Sequence, residues 1–324
     1  MQKKINSINT GDLALKEEVA TKADTTYVDK KDKQLKYHIN HCNALIERRI
    51  RLYHTDGRSK QLYRLNVETF AVEASRREFG GSVKGIGGGF DGHKGRLFHV
   101  DDKVKLIYEL DPDTLEEIKH APLPEKCLGQ GIGGDFDGEK LRLFLVDSSN
   151  NNRKIHELDI ETLQPKKTVI LNHITKLYGI DGIYDGEDFR ILATGVHNNQ
   201  GYIFELNPDT LEEIKRTPSI SNKPYGITGV YDGEKCRLFY CEYQNNKIYE
   251  LDIKDFREIK SMQGPNTFSF GLGAIYDICP NSKLPCGNAK TTSGSFNMSF
   301  WQGTESDYAN ILNKDENTIY FIEG

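Results

Sequence analysis

The stretch Gly-Gly-Gly-Phe-Asp-Gly at residues 87–92 decides the fold, because a Gly-rich run ending in an aromatic residue and Asp occurs five times. The aromatic residues of these runs lie 45–48 residues apart. That period is typical of a β-propeller blade of four short strands. Leucine-rich repeats have a shorter period, and TPR and HEAT units would need residues at helical spacing. The sequence therefore predicts a mainly β protein. The runs are Gly87–Gly92, Gly133–Gly138, Gly182–Gly186, Gly229–Gly233 and Gly273–Asp277.

The third repeat shows the order of strands that we expect within a blade. Ile180–Tyr184 is apolar and Gly-rich, as on an inner strand near the axis, and Phe189–Thr194 is the second strand. Tyr202–Leu206 alternates as a third strand, and Leu211–Lys215 is a charged outer strand. The neighbouring repeats follow the same order, with Arg-Leu-Phe marking their second strands.

The two ends of the array predict how the ring closes. The first repeat begins at its second strand, Ile50–His54, and has no inner strand of its own. The last inner strand, Leu272–Tyr276, has no outer strands directly after it. If these segments pair, five blades close over about residues 47–277 without an open end. Six blades are the alternative, because Ile319–Ile322 loosely repeats the third-strand motif.

Two charged residue types recur with the repeat, and both have a structural explanation. The Asp residues precede Gly in most repeats, and Asp-Gly is a favoured hairpin turn, so we predict turn positions rather than a calcium or catalytic ring. The Arg residues of the second strands are predicted to be structural partners of these Asp residues. The Asp positions are 91, 137, 185, 232 and 277, and the Arg positions are 96, 142, 190 and 237.

Composition limits the partners and cofactors. A net charge of −5 and a pI near 6.0 give no reason to expect nucleic acid or an anionic membrane. The sequence contains neither an apolar run of the ~20 residues that span a bilayer nor a signal-peptide pattern at its start. The six cysteines lack zinc-site spacing, so no metal and no cofactor are predicted. Cys279 and Cys286 flank a loop, where a disulfide and two free thiols are the alternatives.

Residues 1–46 lack the blade pattern and are predicted to form a stem. Within residues 13–46, apolar residues follow the a/d spacing of about three heptads, which is typical of an α-helical coiled coil. So short a helix is marginal alone, and we expect it to assemble with copies of itself. The alternative is one amphipathic helix packed on its own propeller. The predicted oligomerisation seam is Val28, Leu35, Ile39, Cys42 and Ile46.

Residues 278–324 are predicted to form a small α+β module. A loop over Cys279–Ser295 is rich in Pro, Asn, Ser, Gly and Lys. After it, the pattern predicts a strand near Trp301, a short helix from about Ser306 to Leu312, and a final strand near Tyr320.

Two segments resemble parts of bacteriophage tails. Val19–Asp32 resembles the "ATKADKTYVD-KD" segments in stems of trimeric phage tail fibres and related adhesins. Trp301–Tyr308 and Lys314–Ile322 fit the pattern W-x-G-T-x-x-x-Y…K-D-x-N-T-x-Y-x-I, which resembles an assembly or attachment module of phage tail, fibre and baseplate proteins. The resemblance implies a homotrimer that contacts other tail proteins in the virion, after synthesis in the host cytoplasm.

Three functions compete at this level. The first is a receptor-binding protein in a tail fibre or baseplate, whose propeller binds a host surface polysaccharide without catalysis. Three weakly binding heads on one stem would gain avidity in this role. The second is a structural or docking propeller without a host ligand. The third is a polysaccharide lyase or glycosidase, which is less favoured because the recurring acids are explained as turn residues.

One face of the propeller carries the candidate ligand site. Loops from fourth strands to inner strands and from second to third strands converge there, and they carry aromatic, amide and Lys side chains that suit sugars. The alternative for Tyr178, Tyr225 and Phe270 is packing between blades. The candidate residues are Lys176, Tyr178, Lys223, Tyr225, Phe270, Asn198, Gln244 and Asn245.

Overall fold

A computed structural model describes residues 46–77, 81–149, 153–185, 188–233, 235–243, 245–265, 268–280, 299–304 and 318–323. The chain divides into two units. Among the described residues, one unit contains those from 48 to 278, and the other contains residues 46–47, 279–280, 299–304 and 318–323. The first unit contains the propeller. None of the described residues belongs to a helix long and apolar enough to cross a membrane.

Blades 2 to 5 each consist of four consecutive antiparallel strands. Blade 2 contains β4 (Val83–Phe90), β5 (Gly95–Asp101), β6 (Leu106–Leu110) and β7 (Glu117–Pro122). Blade 3 contains β8 (Gly129–Phe136), β9 (Leu141–Asp147), β10 (Lys154–Leu158) and β11 (Pro165–Ile170). Blade 4 contains β12 (Lys176–Tyr184), β13 (Phe189–His197), β14 (Gln200–Leu206) and β15 (Glu213–Pro218). Blade 5 contains β16 (Pro224–Tyr231), β17 (Cys236–Glu242), β18 (Lys247–Leu251) and β19 (Glu258–Gln263).

Blade 1 joins the two ends of the propeller, as the sequence predicts. Its strands are β1 (Ile46–Asp56), β2 (Gln61–Leu65), β3 (Val72–Arg77) and β20 (Ser269–Pro280), in the order β20-β1-β2-β3. The last inner strand therefore completes the first blade. Five four-stranded sheets are present in the described part of the chain, so the prediction of five blades is confirmed.

The inner strands approach each other so closely that one position in each must be Gly. A Cβ on Gly85 would lie 2.6 Å from Gly131 Cα, and a Cβ on Gly131 would lie 2.4 Å from the Tyr178 carbonyl oxygen. The same conflict recurs from one blade to the next and returns to blade 2. The ring glycines are Gly85, Gly131, Gly179, Gly226 and Gly271.

The aromatic residues that end the Gly-rich runs pack together, towards the C-terminal ends of the inner strands. All five are at most 7% exposed and belong to one hydrophobic cluster. Phe90 stacks on Tyr276 with ring centroids 5.0 Å apart and contacts Phe136 edge to face at 5.9 Å. The repeated aromatic residue is thus a core position. The cluster contains Phe90, Phe136, Tyr184, Tyr231 and Tyr276.

Turns explain four of the recurring Asp residues. Asp91 Oδ1 accepts hydrogen bonds from the backbone N–H groups of His93 and Lys94, both at 2.9 Å. Asp137, Asp185 and Asp232 accept equivalent bonds in their own turns. Asp277 differs, because its carboxylate forms an ion pair with Arg51 of the adjacent strand β1.

The recurring Arg residues pair mainly with Glu rather than with the turn Asp. Arg96 donates two hydrogen bonds of 2.8 Å to the Glu109 carboxylate on the neighbouring third strand. Two of the Arg residues also approach a turn Asp, at 4.0 Å for Arg142 and 3.3 Å for Arg190. The pairs in the other three blades are Arg142–Glu157, Arg190–Glu205 and Arg237–Glu250.

The second unit contains a parallel pair of strands, β21 (Ser299–Thr304) and β22 (Thr318–Glu323). Both strands lie where the sequence predicts strands, and Ile319–Ile322 belongs to this pair rather than to a sixth blade. The predicted helix near Ser306 lies outside the described residues, as do Val28, Leu35, Ile39 and Cys42 of the seam. Cys286, considered as a disulfide partner of Cys279, also lies outside them. Ile46, the last seam position, begins β1 and is extended.

Candidate functional site

The residue before each ring glycine lies near the N-terminal end of its inner strand, opposite the aromatic cluster. The type of side chain at this position differs among the blades. Blades 2 and 3 have Lys84 and Gln130 there, while blades 4, 5 and 1 have Tyr178, Tyr225 and Phe270. The ring glycines surround an axial opening with Ile and Leu between them, and its room is no more than that of about one water molecule. A ligand would therefore bind around this opening rather than inside it.

Five half-buried aromatic rings form a continuous cluster at this end of blades 4, 5 and 1, which we call the aromatic platform. Tyr178 stacks on Tyr225 with centroids 4.3 Å apart, and Tyr225 stacks on Tyr243 at 4.9 Å. Phe270 meets Tyr225 and Tyr243 edge to face at 5.4 and 5.3 Å. Phe268 extends the cluster beyond Tyr243, with centroids 4.9 Å apart.

Two cations lie over the Phe rings of the platform. The Arg58 guanidinium is 4.6 Å from the Phe268 centroid, and Lys84 Nζ is 4.7 Å from the Phe270 centroid. Burial lowers the pKa of Lys84, and the neighbouring Lys105 adds to this effect. Cation–π contacts of this kind stabilise the face and leave positive charge at its rim.

The backbone of inner strand β12 is fixed beneath the platform by Thr194 of the second strand. The Thr194 hydroxyl donates to the Tyr225 carbonyl oxygen at 2.6 Å and accepts from the Gly179 N–H at 2.9 Å. This hydroxyl therefore ties blade 4 to blade 5 directly behind Tyr178 and Tyr225. The rings of Tyr178, Tyr225 and Phe270 are thus carried by inner strands rather than by loops.

The other predicted site residues surround the platform but do not join it. Lys176 and Lys223 are exposed, and so are the loop residues Asn198 and Asn245. Lys176 pairs with Val196 across the sheet, which brings it near Asn198 at the end of blade 4. Asn245 Nδ2 donates to the buried Glu242 at 2.6 Å. Gln244 lies outside the described residues.

Sequence reasoning missed Arg58, Lys84, Tyr243 and Phe268 as members of this site. Aligning the five inner strands on their ring glycines would have found Lys84, because it occupies the position of Tyr178. Arg58 and Tyr243 reach the platform from second-to-third-strand connections, so no repeat signal marks them.

The platform offers flat apolar faces together with neutral hydroxyl groups. Burial raises the pKa values of Tyr178 and Tyr225, so both phenols keep their protons at neutral pH. Each hydroxyl then donates and accepts hydrogen bonds. The arrangement can stack against the C–H face of a sugar ring while amides and ammonium groups at the rim bind its polar substituents.

Comparison with known proteins gives one family match and two distant structural similarities. The phage tail tip domain family matches residues 298–323, and no curated protein matches the chain. This short match and the five-bladed fold fit a phage tail protein that carries a propeller. They confirm in part the tail resemblance seen at the C-terminal pattern.

Two solved structures are similar to the chain at low identity. A protein of unknown function from Bacteroides caccae has 12% identity and a TM-score of 0.41, covering 68% of this chain and 77% of its own. Hydrazine synthase from Kuenenia stuttgartiensis has 12% identity and a TM-score of 0.39, covering 64% of each chain. Neither similarity carries an argument about function.

Proposed function

We propose that this chain is a phage tail fibre or baseplate protein whose propeller binds a host cell-surface glycan without cleaving it. The observation that carries the proposal is the aromatic platform with its rim of Lys and amide side chains. The family match at residues 298–323 supports the tail location. The glycan, the absence of catalysis and the place within the tail are parts of the proposal.

The two ends of the inner strands support a binding role for the platform. At one end, the repeated aromatic residues are nearly inaccessible, as core packing requires. At the other end, Tyr225 contacts both Tyr178 and Phe270, yet all three rings remain partly exposed. Residues that only wedge blades apart would be buried like the first set. Contiguous apolar surface that stays accessible is typical of interaction sites.

The charge at the platform narrows the ligand class. Lys176 and Lys223 are exposed beside it, and Arg58 and Lys84 lie over its rings, although the whole chain has a net charge of −5. These cations favour glycans that carry anionic substituents. We expect acidic wall or capsule polysaccharides to bind more tightly than neutral ones, and added salt to weaken that preference.

The proposed assembly is a homotrimer held by the stem. Three propellers on one stem convert weak single-site binding into avidity, because the second and third contacts form at high effective concentration. Truncating residues 1–46 is therefore expected to give a monomer with weaker cell binding. An oligomer that survives the truncation would contradict the stem as the assembling element.

The test measures binding of the full-length protein to a panel of bacterial cell walls, before and after enzymatic removal of surface polysaccharide. Saturable binding that disappears on removal is expected, with at least a tenfold loss in Tyr178→Ala and Tyr225→Ala. Tyr202→Ala is the matched control, because Tyr202 is a half-buried tyrosine on the third strand of blade 4 and outside the platform. Equal binding by all three variants would refute the proposal that the platform binds the glycan.

A structural or docking role is the second candidate, and exposed apolar residues on the fourth strands favour it. Ile118, Ile214 and Ile259 occupy equivalent positions in three blades and are 54–61% exposed. No binding to any wall, together with a stable oligomer, would favour this role. Release of reducing or unsaturated sugar ends in the same samples would instead indicate a glycosidase or lyase.

A further inference from the structure

A thiol, a carboxylate and an imidazole meet in blade 3. Among the described residues, Cys127 Sγ, a carboxylate oxygen of Asp147 and a ring nitrogen of His156 all lie within 4.8 Å of one another. The three residues are 2%, 1% and 5% exposed. We propose that they form a binding site for one divalent transition metal ion, with zinc as the expected metal. The bound ion would cross-link and stabilise this blade.

The hydrogen bonding of His156 leaves one ring nitrogen available as a metal ligand. His156 Nδ1 lies 2.8 Å from Thr168 Oγ1, while Nε2 is buried and has no hydrogen-bond partner. When Nδ1–H donates to Thr168, the lone pair of Nε2 remains available. Metal-bound histidines almost always have such an outer hydrogen bond, which fixes the tautomer and the ring orientation. A buried nitrogen without a partner is otherwise unfavourable.

The carboxylate is also held in place by its surroundings. Asp147 Oδ1 accepts hydrogen bonds from the N–H groups of Leu128 and Ser149, both at 2.9 Å. Oδ2 accepts from the Ser149 hydroxyl at 3.1 Å. These bonds engage both lone pairs of Oδ1, whereas Oδ2 keeps a second lone pair open for a metal ion. The Leu128 bond also anchors the segment that carries Cys127.

The internal repeat shows that two of these ligands are specific to blade 3. An acidic residue recurs at the Asp147 position, as Asp56, Asp101 and Glu242, so the carboxylate has a general turn role. His156 instead stands where the other blades have Tyr or Phe, and Cys127 stands where blades 2, 4 and 5 have no thiol. The residues at the His156 position in the other blades are Tyr63, Tyr108, Phe204 and Tyr249.

The ligand set selects the class of metal. Thiolate and imidazole suit zinc and related transition metals, whereas calcium and magnesium prefer oxygen ligands. Tetrahedral zinc places its N, O and S ligands roughly 3.3–3.8 Å apart, so the three atoms need to move together by about 1 Å. Binding displaces the Cys127 thiol proton to solvent, and a water molecule completes the fourth position.

The sequence predicts no metal because its three ligands come from separate segments of the blade. Cys127 precedes β8, Asp147 ends β9, and His156 lies in β10. A metal here would connect all three segments. The site is independent of the aromatic platform, since none of its residues belongs to that cluster.

The test uses Co²⁺ as the probe, added to the reduced full-length protein after treatment with a chelator. The expected result is one Co²⁺ per chain, with a thiolate-to-cobalt charge-transfer band in the near ultraviolet and intense tetrahedral bands in the visible region. Zinc should displace the cobalt and abolish both signals. Absence of a thiolate band in the wild-type protein would overturn the proposal.

Three variants locate the metal. Cys127→Ser and His156→Tyr are each expected to weaken binding by at least about 100-fold, because even outer partners of metal ligands contribute 10–100-fold. His156→Tyr restores the residue type of blades 1, 2 and 5, so it keeps the test valid if Cys127→Ser does not fold. Thr168→Val should weaken binding about tenfold.

Cys236→Ser is the matched control, since Cys236 is a thiol of blade 5 outside the cluster. It should bind Co²⁺ like the wild-type protein. A thiolate band that persists in both Cys127→Ser and His156→Tyr would assign the metal to other residues and overturn the proposal.

Discussion

Asp277→Ala should weaken the closure of the propeller much more than removal of an equivalent Asp elsewhere. Arg51 of β1 has no Glu partner on its third strand, where Arg64 stands instead, so it pairs with Asp277 of β20 and with Asp113 of blade 2. The Arg51 side chain is 6% exposed, whereas those of Asp277 and Asp113 are 21% and 51% exposed. The Asp277 carboxylate therefore joins the last strand to the first.

The expected loss of folding stability in Asp277→Ala can be worked out from these side-chain exposures. Breaking a fully buried ion pair costs about 3–5 kcal/mol, and we reduce this to about 2 kcal/mol because Asp277 is partly exposed and Asp113 remains. Loss of the acceptor for the Gly95 N–H adds about 1 kcal/mol. The free energy of unfolding should thus fall by about 3 kcal/mol, which corresponds to a decrease in Tm of about 6–12 °C for a domain of this size class.

Urea unfolding followed by circular dichroism measures this loss, with Asp91→Ala as the matched control. Asp91 accepts two exposed backbone hydrogen bonds in the equivalent turn of blade 2, and water can replace it, so its loss should cost only about 0.5–1 kcal/mol. If Asp277→Ala were no more destabilising than Asp91→Ala, the ion pair would not be what holds the closing strands together.

Three further predictions concern single positions. Leu211 is buried at a φ of 65°, so Leu211→Gly should be less destabilising than Leu211→Ala by about 1 kcal/mol in urea unfolding, the reverse of the usual order. Burial lowers the pKa values of His54 and His99 from 6.5 to about 4, so the unfolded chain binds more protons between these pH values. Stability should therefore be lost as pH falls from 6.5 towards 4, by up to about 3 kcal/mol for each histidine, and His99→Phe should flatten urea midpoints measured across this range. Gly179→Ala would place a Cβ 2.3 Å from the Tyr225 carbonyl oxygen, so we expect a loss of about 3 kcal/mol or more, or no soluble protein, by the same unfolding assay.

The architecture was predictable because it depends on patterns that repeat in the sequence. The period identified the blades, and the incomplete first repeat predicted the pairing of Leu272–Tyr276 with Ile50–His54. The outer strand of blade 4 was predicted to begin at Leu211, but it begins at Glu213. Leu211 is apolar because it is buried in a left-handed turn, which a strand pattern cannot distinguish from a strand residue.

Contacts that depend on register were not predictable. The Glu partner of each recurring Arg lies on the adjacent third strand, so the pair becomes visible only when the strands are aligned. The same holds for the platform. Tyr178, Tyr225 and Phe270 share a repeat position and were predicted as one set, whereas Tyr243 joins them through the packing of two blades.

The differences among blades also predict how many ligands the propeller binds. A ligand on the axis would meet one side chain from every blade at the position before the ring glycine, yet only blades 4, 5 and 1 present aromatic rings there. Lys84 and Gln130 break the ring on the other side, so the platform is a single asymmetric surface beside the axis. We therefore expect one oligosaccharide per chain in calorimetric titration, and Gln130→Ala should bind more like the wild-type protein than Tyr225→Ala does. Several equivalent sites per chain, or equal losses in the two variants, would show that the ligand follows the repeat instead of the platform.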